Sequence, residues 1–121
     1  MENLERFYTF VGANATEVVS RLGGNATLVK RFLMKFKVDD SYSNLCVALD
    51  NNDTETAFRA AHTLKGICAN LGLSRLLEQA SIVTEFLRSG ATDEAKIAFP
   101  KLRQEYEQVI TALNSLNDLE V

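Results

Sequence analysis

The sequence predicts an all-α fold, an antiparallel four-helix bundle with an additional short N-terminal helix, and three observations carry that prediction. Apolar residues recur at intervals of three and four from end to end, while the alternation of half-buried strands is nearly missing. Turn signals rich in glycine and asparagine interrupt the pattern at short intervals, and no low-complexity linker or convincing repeat divides it. The length of 121 residues, with 46% apolar and 24% charged content, suits a single domain over 1–121 with a buried core. Connections this short set consecutive helices side by side and antiparallel.

The first helix is expected over Glu2 to Val11, ended by Gly12. Asn14 caps a second, which runs through Val18, Val19 and Leu22 to Gly23-Gly24. Asn25 caps a longer segment carrying Val29, Phe32, Leu33 and Phe36. Its apolar phase slips around Val38-Asp39-Asp40-Ser41 and resumes with Tyr42, Leu45 and Leu49, as one kinked helix or two helices end to end. Asp50-Asn51-Asn52 reads as a turn.

Asp53 or Thr54 opens the next helix, and Asn70-Leu71-Gly72 closes it. The helix after that turns Leu73, Leu76, Ala80, Val83 and Leu87 inward and stops at Gly90. The last begins near Thr92 or Asp93 and keeps Ala95, Leu102, Tyr106, Val109, Leu113 and Leu116 in an approximate heptad phase. Pro100 lies inside it and either kinks it or marks its true start.

Composition removes several functions. A formal charge of −3, with no basic stripe interleaved with aromatics, argues against nucleic acid as a partner. No glycine-rich phosphate loop is present, so the chain shows no means of binding a nucleotide for itself. No apolar run is long enough to span a bilayer, and the start MENLERFYTF is too acidic for a signal peptide, so a cytoplasmic chain is expected. Cys46 and Cys68 lack CxxC spacing and sit in apolar-periodic segments, as buried free thiols do.

The chemistry is concentrated in one stretch, Ala60-Ala61-His62-Thr63-Leu64-Lys65-Gly66, which holds the single histidine. Ala57, Ala61, Leu64, Cys68 and Leu71 form one inward face. At about 100° per residue, His62 lies well off its centre, toward solvent. Gly66 and Ala69 follow on nearly the same side and leave a bare strip of backbone, while Lys65 flanks the ring. No Ser-His-Asp or Cys-His set accompanies the histidine. Arg59 and Phe58 stand where a metal site would need a carboxylate, so no metal is expected. A phosphoryl acceptor needs only the neutral ring, a cation to offset the ~2 negative charges of the phosphate, and room for the donor. Each of these is present.

This motif, followed by Asn70-Leu71-Gly72, resembles the signature of the histidine phosphotransfer (HPt) family of two-component phosphorelays. Nearly the whole chain after about residue 14 fits the family pattern. The resemblance implies that His62 is the phosphoacceptor, that Lys65 stabilises the phosphoryl group, and that Gly66 leaves space for a receiver domain, with Ala69 beyond it. It also implies a polar side chain on the following helix, commonly glutamine, that orients the ring. Here Thr84 takes that place and is shorter, so water or Gln79 could replace it. Arg88, one turn on, falls where a basic residue can face the receiver. Thr84 and Arg88 read equally well as ordinary surface residues, and Phe7, Phe10 and Val11 as receiver contacts or as core.

The implied partners are response-regulator receiver domains, and a hybrid sensor kinase as a source of phosphate. The receiver brings the aspartate and Mg²⁺, so the chain needs no cofactor and acts as a phosphocarrier, not an enzyme. A monomer is expected, and Met1 favours a free-standing protein, although a domain excised from a hybrid sensor kinase could begin the same way. The rival expectations are the phosphoacceptor domain of a chemotaxis-type kinase, a docking module that never carries phosphate, and a metal- or haem-binding bundle.

Overall fold

The computed structural model describes residues 2–119, and among them seven α-helices and no strand. They are α1 (Glu2–Phe10), α2 (Ala15–Arg21), α3 (Ala26–Lys37), α4 (Ser41–Asp50), α5 (Thr54–Leu71), α6 (Ser74–Arg88) and α7 (Thr92–Leu119). The all-α bundle expected from the periodicity is present.

Local chemistry sets the boundaries. The side chains of Asn14, Asn25 and Asp53 accept from the backbone N–H three residues on, at 3.1, 3.1 and 3.2 Å. Each satisfies a donor that the first turn leaves unpaired. The phase slip after Phe36 is a true break, so α3 and α4 are two helices and not one with a kink. Val38 leaves the helical path, and the Asp39 carboxylate accepts from the Ser41 N–H at 2.9 Å to start the next. Pro100 does not mark the start of α7; the helix begins at Thr92 and continues through it.

Contacts between helices fix their directions. Arg75 near the start of α6 pairs with Glu105 midway along α7 at 3.3 Å, well beyond the short turn that joins the two helices, so they run antiparallel. Thr54 and Thr92, at the starts of α5 and α7, share a 2.6 Å hydrogen bond, so those two run parallel. Tyr42 at the start of α4 stacks on Tyr106 at 3.8 Å and 4°, while Asn52 just beyond its end accepts from Lys96. α4 therefore runs against α7. With α3 leading into α4, the helices α4 to α7 make the expected four-helix arrangement, each packed on the next in the chain.

One apolar core runs through all seven helices. The inward stripes expected of α5 and α6 are buried throughout, from Ala57 to Leu71 and from Leu73 to Leu87. Cys68 is buried, Cys46 half-buried, and both are free. α1 lies on the C-terminal part of α7 and contributes Leu4, Phe7, Tyr8 and Val11 to the core. Phe7 and Val11 are therefore not available as receiver contacts, and only Phe10 of that group is exposed. No helix of the described residues is long and apolar enough to cross a membrane.

Candidate functional site

The site is built on the middle of α5, whose inner face is locked into the core by Ala57, Ala61, Leu64 and Cys68. Rigid burial of that face fixes what the opposite face presents. His62, Gly66 and Ala69 are all exposed and form one ridge. A methyl group built on Gly66 would meet nothing within 4 Å. The fold therefore does not require glycine there, although glycine inside a helix costs about 1 kcal/mol relative to alanine.

The cations around the ring differ in how they are held. Arg59 pairs with Glu55 at 2.6 Å along α5, and Arg88 with Glu85 at 3.2 Å along α6. Lys65 is half-buried on the α6 side of the ridge and, among the described residues, has no carboxylate partner. Its ammonium remains free to meet an incoming anion.

Two expected residues stand differently from their sequence reading. Thr84 is fully buried, and its hydroxyl donates to the Ala80 carbonyl oxygen at 2.6 Å. It is neither an ordinary surface residue nor aimed at the imidazole. Gln79 is also buried, more than a turn earlier on α6. Arg88, by contrast, is drawn to the site. Its guanidinium carbon lies 5.0 Å over the ring of Phe58, and the Phe58 and His62 rings are 5.7 Å apart at a 55° tilt. The sequence reading uses Phe58 only to argue against a metal and gives it no role beside the imidazole. Its spacing of four residues from His62, which aligns the two on one helix face, is the signal that finds it.

On the side of the ridge away from α6, two grooves run along α5. One of about 450 Å³ lies against α4, with Asn44, Val47, Arg59 and Thr63 in its walls. The other, about 430 Å³, lies against α3 between Phe32, Phe36, Ile67 and Asn70. Among the described residues, no group of three or more His, Cys, Asp or Glu side chains is placed to hold a metal ion.

A family model described as Hpt domain matches residues 34–112, well over half of the chain and including the whole of α5 and α6. No curated protein and no solved structure matches the chain.

Proposed function

Because the chain belongs to the Hpt domain family, we propose that it is a phosphorelay intermediate in which His62 takes a phosphoryl group from an aspartyl phosphate and passes it to a second receiver. Hpt domains are phosphocarriers, acting by histidine phosphotransfer with receiver domains of two-component systems. In the forward step the lone pair of a neutral His62 ring nitrogen attacks phosphorus. The P–N bond forms as the P–O bond to the aspartate breaks, and the carboxylate leaves with the bonding electrons. The other ring nitrogen keeps its proton. Onward transfer reverses these bonds at the next aspartate.

The observation that carries this reading is Gly66, one turn from an exposed His62 and with open space where a side chain would stand. That clearance lets the receiver's backbone approach the ring. Lys65 supports the same reading as an unpaired cation within reach of a phosphoryl group on His62. Mg²⁺ and the reacting aspartate belong to the receiver, whose phosphate a hybrid sensor kinase would supply. The chain itself needs no nucleotide site, works as a monomer, and with two unbridged thiols fits a cytoplasmic setting.

The test mixes the protein with a phosphorylated receiver from the same cell and follows the label. Acid-labile, alkali-stable label on the wild type, absent from His62→Gln, is the expected result. Label that persists in His62→Gln would overturn the assignment, and a chain that binds receivers without ever acquiring label would be a docking module instead.

A further inference from the structure

We propose that Phe58 is the positioning residue for the His62 imidazole, orienting the ring by aromatic packing. The proposal rests on His62 being the phosphoacceptor. An exposed histidine on a helix turns freely unless something restrains it, and in-line attack needs its lone pair aimed at phosphorus. The residue that the family resemblance places for this task, Thr84, is buried and hydrogen-bonded to Ala80. Among the described residues the His62 ring has no hydrogen-bond partner, and its ring contact is Phe58.

Phe58 is suited to this role because it is held on two sides. One flank packs against the core, which fixes the ring. The other is covered by the Arg88 guanidinium, whose Nε in turn reaches both Glu85 carboxylate oxygens at 3.2 Å. Glu85, Arg88, Phe58 and His62 thus form a continuous chain from α6 to the reacting ring. The 5.7 Å separation and 55° tilt fall within the range in which aromatic pairs attract. Arg88 acts here through Phe58, a role distinct from touching a receiver.

Phosphoramidate serves as the probe, a small donor whose P–N bond breaks with loss of ammonia as the His62 P–N bond forms. Phe58→Leu keeps apolar volume and removes the ring; Phe58→Tyr keeps the ring. Phe58→Leu is expected to slow uptake about five-fold and to move the His62 ring-proton NMR signals, with Phe58→Tyr restoring both. Wild-type uptake by Phe58→Leu, or unmoved His62 signals, would overturn the positioning role. Should Phe58→Leu lose its fold, the exposed substitution Arg88→Ala takes its place. A slowing of about two-fold is then expected, and no slowing overturns the proposal. Failure of the wild type to take up phosphate from phosphoramidate or from receivers would overturn the phosphoacceptor reading itself. The NMR shifts still report the packing in that case.

Discussion

The Thr84 hydroxyl donates to the Ala80 carbonyl oxygen at 2.6 Å, one turn back along α6 and sealed from solvent. This is the back-bonding that threonine makes inside helices, and it commits the only side-chain donor that the residue has. Thr84→Val should therefore leave phosphotransfer at the wild-type rate. It should change stability by no more than about 1 kcal/mol, because the Ala80 carbonyl lies at the i−4 position of the helix and keeps its backbone partner. Rapid-quench transfer assays and urea unfolding check both. A large transfer defect with an intact fold would return the threonine to the site.

Gly66 separates the needs of the fold from those of the partner. Since an added methyl meets nothing within 4 Å, Gly66→Ala should stabilise the protein by about 1 kcal/mol, the difference in helix propensity. For a chain of this size that corresponds to a rise in Tm of about 4 °C. Gly66→Leu should fold equally well yet transfer phosphate far more slowly, since its side chain occupies the receiver's path. Calorimetry and transfer rates on the two variants separate the effects. Unchanged transfer in Gly66→Leu contradicts the clearance argument.

The all-α architecture and the exposure of His62 were legible because both follow from one periodicity. The residues that α5 buries, Ala57, Ala61, Leu64 and Cys68, define where its outer face lies. Asn14 and Asn25 were readable as caps for an equally local reason, while the sequence left the start of α5 open between Asp53, which is the cap, and Thr54. The antiparallel order of neighbouring helices was legible from their short connections, but their rotation against one another and their side-chain pairings were not. Whether Thr84 faces solvent depends on how α6 is rotated against its neighbours, and a threonine is compatible with either side. The stacking of Tyr42 on Tyr106 joins residues 64 apart, and nothing in their local patterns pairs them. Phe58 lay between the two cases. Its spacing to His62 is local, but the Arg88 that covers it comes from another helix.

Two left-handed glycines should respond very differently to the same substitution. Gly72 ends α5 at φ 68°, and a methyl there would come within 2.5 Å of Val18 Cγ2 and 3.3 Å of an Arg21 guanidinium nitrogen. Gly90 has φ 78° but open space around it. Gly90→Ala should lose about 1 kcal/mol, the strain of the left-handed conformation alone. Gly72→Ala must also displace α2 from the end of α5, and should lose about 3 kcal/mol. Denaturant midpoints measured side by side test this. Equal losses would mean that α2 is not packed against the turn that ends the motif helix.

Tyr8 should make the fold sensitive to alkali. Its hydroxyl is fully buried and, among the described residues, has no hydrogen-bond partner, while its ring meets Phe7 edge-on at 5.0 Å. Burial pushes the phenol well above the usual tyrosine range, with the Arg21 charge opposing. The folded state then holds this proton more tightly than the unfolded chain. Its contribution to stability is complete below the unfolded value of about 10 and is lost progressively as the pH rises beyond it. Cys68, pushed up to about 12 by burial, acts with the same sign from a lower starting point. Tyr8→Phe keeps the ring contact and removes the unpaired hydroxyl. It should be as stable as the wild type at pH 7, or up to about 1 kcal/mol more so. Between pH 9 and pH 11 it should lose less stability than the wild type, the remainder belonging to Cys68 and other groups. Urea unfolding across that range decides the matter, since an identical alkaline loss in both proteins would show that the phenol is not held protonated by burial.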